Sequence, residues 1–170
     1  MKTLSKSTFG LFAALILVLS LANTQSARAF VQRGKNLAAS TPPLLSNIQA
    51  MELGGTHTCA LTAEGGVKCW GSNFSGELGD GTTFNRFAPI NVSGLSNGIT
   101  AISTGSEFTC ALTNNGEVKC WGNNAYGQLG DGTTVNRHTP VNVIGLSGTI
   151  IAITTGHSHA CALTTDHIVQ

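Results

Sequence analysis

The stretch His57–Thr83, HTCALTAEGGVKCWGSNFSGELGDGTT, returns 51 residues later as Phe108–Thr134, FTCALTNNGEVKCWGNNAYGQLGDGTT. Aligned over the full period without a gap, residues 54–104 and 105–155 are identical at 32 of 51 positions. A third, partial copy occupies residues 156–170. A period near 50 residues is typical of stacked repeat units, in which each unit packs on its neighbours. The repeat therefore determines how every other feature of the sequence is interpreted.

Each copy has the pattern of short β-strands. His57–Thr62 and Val67–Trp70 flank a four-residue turn and predict a hairpin. A glycine-rich loop follows, and two further segments, Pro89–Val92 and Ile99–Ile102, predict two more strands. Four short strands per unit, with no helical period, favour an all-β fold: a partial β-propeller of four-stranded antiparallel blades. A β-solenoid is the alternative, although its coils use shorter periods.

The repeated string resembles the regulator of chromosome condensation repeat, whose hallmark is a hydrophobic strand, a turn and then W-G-x-N-x-x-G-Q-L-G. Trp70–Gly79 and Trp121–Gly130 carry this motif, and the resemblance extends over residues 48–162. It implies a propeller, typically of seven four-stranded blades. Since the chain has only two complete blades and part of a third, we expect it to be a fragment of a longer product or a truncated gene copy.

The N-terminal residues 1–29 have the pattern of a secretory signal peptide. They begin with two lysines, continue with the apolar run Leu11–Ala22 and end in Ala27-Arg28-Ala29, a typical cleavage site. A membrane anchor is the less favoured alternative, because spanning a bilayer takes roughly 20 apolar residues. Residues 30–46 predict a linker, and residues 47–170 the propeller repeats. We expect a secreted, periplasmic or cell-surface protein with no membrane attachment after cleavage.

The charge of the chain argues against nucleic acid as a partner. Beyond residue 29 there are six Lys or Arg and eight Asp or Glu, which gives a net charge of −2. A mildly acidic chain without a basic run cannot neutralise several phosphates.

The five cysteines follow the repeat. Cys59 and Cys69 lie symmetrically about the predicted turn, so they should be directly opposite each other and within disulfide range, and Cys110 and Cys120 repeat the arrangement. Buried free thiols are the alternative; a zinc site is disfavoured because the spacing is C-x9-C. Cys161 corresponds to Cys59, but its partner would fall at position 171, so its fate stays open.

Residues that recur in every copy are interpreted as scaffold. We expect Trp70 and Trp121 to pack between blades, and Asp80 and Asp131 to bond the backbone of their own turns. One carboxylate per loop is too few for a calcium site. Three histidines lie near the C-terminus, His157, His159 and His167, and three histidines are enough to bind zinc. We nevertheless predict no metal, no cofactor and no catalytic residue.

Positions where the copies differ are the candidates for recognition, because variable loops on a rigid scaffold usually carry binding. The candidate binding residues are Phe74, Phe87, Tyr126 and His138. We therefore expect a secreted interaction module that binds a protein or a glycan and is not an enzyme. The alternative is a fragment of a propeller enzyme, a glycan-active hydrolase or lyase. Guanine-nucleotide exchange on a small GTPase, which the resemblance also implies, conflicts with the signal peptide.

Overall fold

The computed structural model describes residues 45–170. The predicted signal peptide, and the predicted linker as far as residue 44, lie outside the described residues. Within the described part of the chain, all regular secondary structure is β-strand. No helix in this part could cross a membrane.

The strands form three antiparallel sheets, each in simple sequential order. The first sheet contains β1 (Ile48–Leu53), β2 (His57–Thr62), β3 (Val67–Gly71) and β4 (Arg86–Asn91). The second contains β5 (Ile99–Thr104), β6 (Phe108–Thr113), β7 (Val118–Gly122) and β8 (Arg137–Asn142). The third pairs β9 (Ile150–Thr155) with β10 (Ala160–Thr164). The predicted all-β fold with four-stranded antiparallel blades is confirmed.

The sheets begin one strand earlier than the sequence units. The units 54–104 and 105–155 end with strands that the structure places at the start of the next sheet: Ile99–Thr104 pairs with β6, and Ile150–Thr155 pairs with β10. A repeat has the same period from any starting residue, so sequence similarity does not locate the sheet boundary. That boundary follows from the connection 92–98, which leaves β4 and enters the second sheet.

The strand ends define two surfaces of each blade. β1 contacts β5 and β5 contacts β9, so the first strands lie side by side. His57 pairs with Gly71, and Gly71 pairs with Arg86, so the turn after β1 and the long loop after β3 emerge at the same end. We call this end the loop face; it comprises residues 54–56, 72–85, 105–107 and 123–136.

The predicted hairpin pairing is confirmed in both complete blades. Cys59 lies directly opposite Cys69, and Cys110 lies opposite Cys120. Both pairs form disulfides, with Cα atoms 4.2 and 4.1 Å apart. Cys161, on β10, is a free thiol.

The third hairpin uses an unusual residue in its turn. Gly65 and Gly116 adopt positive φ angles of 78° and 83°, and His167 occupies the equivalent position with φ 61°. Residues with a Cβ atom adopt this left-handed region at a cost, so glycine suits the turn better. Beyond the turn, Val169 still bridges to Leu163 as the repeat register requires.

Candidate functional site

A buried asparagine organises each long loop of the loop face. The Nδ2 of Asn73 donates to Oδ1 of Asp80 at 3.1 Å and to the carbonyl of Thr82 at 3.0 Å. Its Oδ1 accepts the backbone N–H of Leu78 at 2.9 Å. Asn124 makes the equivalent bonds in the second loop. Because both amide atoms are satisfied inside the loop, each asparagine holds its loop in one conformation.

The aspartates close the same loops, as predicted. Asp131 accepts the backbone N–H of Thr133 at 3.0 Å and pairs with Arg137 at 2.6 Å. Burial alone would raise the pKa of Asp131, but hydrogen bonds from Thr133, Arg137 and Asn124 outweigh burial and lower the pKa to about 2. Asp80 makes equivalent bonds, and its pKa is also lowered.

The first loop also holds the second blade in place. The carbonyl oxygen of Glu77 accepts the indole N–H of Trp121 at 2.9 Å and the hydroxyl of Thr109 at 3.3 Å. Trp121 is fully buried, which confirms the expected packing between blades, whereas Trp70 is half-buried. Gly79, with φ 66°, lies against this indole, so a Cβ atom there would be only 2.7 Å from Nε1 of Trp121.

A histidine is buried at the same junction. Nε2 of His57 lies 2.8 Å from Oγ1 of Thr109, while Nδ1 has no partner among the described residues. Burial lowers the pKa of His57 to about 4, so the ring is neutral at pH 7. Phe108 fills the equivalent position in the second blade and is fully buried, whereas His159 in the third copy is exposed.

The structure exposes all four predicted binding residues, and Tyr126 also lines a cavity between the second and third sheets. Phe74 and Tyr126 lie at the tips of the two loops, 78% and 81% exposed. His138, on β8, is exposed and contacts Gly76 beside the first tip. Phe87 is 99% exposed on β4 at the position equivalent to His138, one blade away.

Sequence reasoning missed a residue that bonds to both long loops. One carboxylate oxygen of Glu107, in the turn after β5, accepts Nδ2 of Asn123 at 2.9 Å and the hydroxyl of Ser75 at 3.4 Å. Glu107 is exposed. The available signal was its absence from the repeat, since Thr56 and Ser158 stand at the equivalent positions. We call the exposed, unrepeated residues on and beside the two long loops the junction patch; they are Phe74, Glu107, Tyr126 and His138.

A cavity of about 340 Å³ lies between the second and third sheets. Gln128, Leu129 and Gly130 line it, and they are the counterparts of the residues that hold Trp121 at the first junction. His159 and Cys161 lie on its other side. Over residues 45–170, no three His, Cys, Asp or Glu side chains are grouped as metal ligands would be.

Comparison with protein families matches the chain to the "Regulator of chromosome condensation (RCC1) repeat" over residues 64–112 and 115–163, more than half of its length. Curated relatives include the Homo sapiens E3 ubiquitin-protein ligase HERC2, 36% identical over 115 residues, which are 66% of this chain and 2% of the relative. The Arabidopsis thaliana mitochondrial protein RUG3 is 34% identical over 145 residues, 77% of this chain and 33% of the relative. The chain therefore spans a third or less of these relatives.

Solved structures share the fold. Human WBSCR16 superposes with a TM-score of 0.65 at 22% identity, covering 72% of this chain and 32% of that one. Yeast RCC1 (Prp20), solved bound to Kap60, gives 0.64 at 18% identity, covering 74% of this chain and 32% of that one. With the repeat motif, the four-stranded antiparallel blades and the family match in agreement, the chain belongs to the RCC1 repeat family.

Proposed function

We propose that this chain is an exported interaction protein that binds another protein through the junction patch. One observation carries the proposal: the loops are held by bonds that repeat in both copies, while Phe74 and Tyr126 are unrepeated and more than three-quarters exposed. Exposed aromatic side chains on a rigid support are typical of binding surfaces.

The rigidity of the loops favours binding. Asn73 and Asp80 bond within the first loop, and Glu77 ties the loop to the second blade. A loop that is already ordered loses little conformational entropy when a partner binds, so more of the contact energy contributes to affinity.

Export is supported by two features of the chain. Residues 1–29 have the composition of a signal peptide. The pairs Cys59–Cys69 and Cys110–Cys120 are disulfide-bonded, and such bonds persist in oxidising compartments.

We propose binding rather than catalysis because the polar residues of the loops are already engaged in the scaffold. The two aspartates are ion-paired with arginines, and the side chain of Glu77 is buried.

A glycan is the second candidate ligand, because exposed aromatic rings such as those of Phe74 and Tyr126 stack on sugar faces. Propeller proteins such as yeast Prp20p, studied for its binding to Gsp1p and histones, are similar to this chain in fold alone, so the proposal rests on the patch.

The test uses the exported chain as bait in medium from the producing cells. The captured protein is then purified and titrated against the wild-type chain and two variants. Phe74→Ser with Tyr126→Ser should weaken binding at least tenfold, since hot-spot aromatics dominate interface energies. Asn115→Ser with Glu117→Gln, on the opposite face, is the matched control and should bind normally. The proposal would be contradicted by a partner that binds the Phe74→Ser with Tyr126→Ser variant normally but no longer binds the Asn115→Ser with Glu117→Gln variant.

A further inference from the structure

We propose that the cavity between the second and third sheets is a binding site for a tryptophan side chain, carried by a β-strand of a partner protein. Its volume of about 340 Å³ is at the lower end of the roughly 300 to 1,000 Å³ that ligand sites span. The inference goes beyond the proposed function, because it concerns the cavity and not the exposed patch. Of the patch residues, only Tyr126 lines the cavity.

The apolar residues of the two blade junctions correspond one to one, with a single exception. Every buried member of the first core cluster except Trp121 has its counterpart, 51 residues later, in or packed against the second cluster. Three members that are buried at the first junction have half-buried counterparts, which line the cavity: Val143, Leu146 and Ile153. The second junction therefore has the apolar lining of the first without its indole.

The backbone beside the cavity has the same shape as at the filled junction. A Cβ atom on Gly79 would lie 2.8 Å from Cγ1 of Val92 and 2.7 Å from Nε1 of Trp121. A Cβ atom on Gly130 would also lie 2.8 Å from Cγ1 of the equivalent valine, Val143, and its three nearest atoms all belong to that valine. The surroundings of the two glycines thus match except for the indole, and Gly130 lines the cavity.

A hydrogen-bond acceptor for the indole is present as well. At the first junction the carbonyl oxygen of Glu77 accepts bonds from Trp121 and Thr109. The counterpart of Glu77 is Gln128, which lines the cavity, and the counterpart of Thr109 is Ala160, which has no hydroxyl. No donor among residues 45–170 bonds to the carbonyl of Gln128. A tryptophan side chain suits both the apolar lining and this carbonyl, because its one polar group is an N–H donor.

The edge of β10 indicates how such a side chain would be brought to the cavity. β6 is paired with a strand on each side, and Thr109 lies opposite Trp121. β10 is paired with β9, but on its other side the pairing within the described chain ends with residues 168–170, so the edge beside Ala160 is open. A partner strand added there would place a tryptophan opposite Ala160, as Trp121 lies opposite Thr109. Strand addition at a sheet edge, with side chains in adjoining pockets, is a common mode of peptide binding.

The chain contains a single tyrosine, Tyr126, so protein labelled with 3-fluorotyrosine gives one fluorine NMR signal from the cavity wall. The labelled full chain is titrated with the peptide Ser-Trp-Gly-Asn-Asn, which copies residues 120–124 with serine in place of cysteine. We expect a saturable shift of the signal. The same peptide with 1-methyltryptophan, which cannot donate to the carbonyl, should bind at least about fivefold more weakly. A peptide with alanine in place of tryptophan should leave the signal unchanged.

Filling the cavity should prevent binding. Ile153→Phe enlarges a half-buried residue of the cavity wall and should weaken peptide binding at least about tenfold. Cys161 is a free thiol in the same wall, so alkylation of the folded chain with N-benzylmaleimide should have the same effect without a change of sequence. Phe74→Ser is the matched control: it changes a patch residue that does not line the cavity and should bind the peptide normally.

Three results would each overturn the inference: no shift with the tryptophan peptide, equal shifts with the tryptophan and alanine peptides, or undiminished binding to the alkylated chain and to Ile153→Phe. A signal that changes with protein concentration in the absence of peptide would also overturn it, because a second copy of the chain would then be the occupant. The Phe74→Ser control keeps the test separate from the proposed function, since a failure of the patch to bind a partner leaves the peptide result unchanged.

Discussion

The two complete blades share a scaffold but differ in the residues that the scaffold presents. Asn73 and Asn124 hold their loops with matching bonds. At the loop tips, however, Glu77 accepts a bond from the hydroxyl of Ser72, whereas Gln128 donates its amide to Asn123. The donor and the acceptor have been exchanged together, so both tips stay closed. Variation is therefore tolerated where it preserves the hydrogen bonding of the scaffold, and unrepeated exposed residues are free to serve recognition.

The largest difference between the blades should appear at the paired tryptophans. Trp121→Ala removes a fully buried side chain and its bond to Glu77, and should lower the free energy of unfolding by about 4 kcal/mol. Trp70→Ala removes a half-buried side chain and should lower it by about 2 kcal/mol. Urea unfolding under non-reducing conditions measures both. Equal losses would show that the two positions are equivalent in packing.

The next contrast is between His57 and Phe108. His57 has a pKa of about 4 in the folded chain, against the ordinary value of 6.5 expected once the chain unfolds, so the unfolded chain binds this proton more strongly. Its stabilising contribution is complete above pH 6.5 and is lost as the pH falls from 6.5 to 4. The maximum loss is about 3 kcal/mol.

His57→Phe copies the residue that the second blade already uses and should remove this part of the pH dependence. Unfolding free energies of wild type and variant, measured at pH 7, 5.5 and 4, provide the comparison. Parallel curves for the two proteins would mean that His57 is already protonated in the folded state or accessible to water.

A smaller effect should be shared by both blades. Asn73→Ala and Asn124→Ala each leave a loop carbonyl and the N–H of Leu78 or Leu129 without their partners, and should each cost about 2 kcal/mol. Hydrogen exchange of Leu78 and Leu129 amides should accelerate in the corresponding variant only. If one loop opened when the other asparagine was replaced, the loops would not be independent units.

The smallest effect concerns the third hairpin turn. His167→Gly restores the residue found at this position in the other two copies and should stabilise the chain by about 1 kcal/mol. Gly116→Ala is the reciprocal change and should destabilise it by about the same amount. Thermal unfolding of both variants checks the sign. A loss of stability in His167→Gly would show that the imidazole makes a contribution of its own.

Much of the fold could be predicted because the sequence contains its own comparison. The 51-residue period, the strand pattern and the symmetry of Cys59 and Cys69 about their turn led to blades, hairpins and disulfides that the structure confirms. The phase of the blades could not be derived in the same way. Nothing in a periodic sequence distinguishes a strand that ends one unit from a strand that begins the next.

The candidate site was only partly predictable, for a related reason. Phe74, Tyr126 and His138 were recognisable as unrepeated residues, but nothing in the sequence separated Phe87 from them or connected them to Glu107, 33 positions after Phe74. The separation of Phe87 depends on how one blade packs on the next. The position of Glu107 depends on a turn that lies beside two loops distant from it in the chain.

The sequence by itself determined the family, the strand order within each hairpin and the pairing of the cysteines, because these depend on local pattern and on the repeat. The tertiary structure alone decided that Trp121 is buried while Trp70 is half-buried, that His57 is neutral at the junction, and that Glu107 bonds to both long loops. How deeply a side chain is buried, and whether its charge is compensated, depend on the residues that pack around it. Identical sequence motifs therefore acquire different properties when different surfaces pack against them.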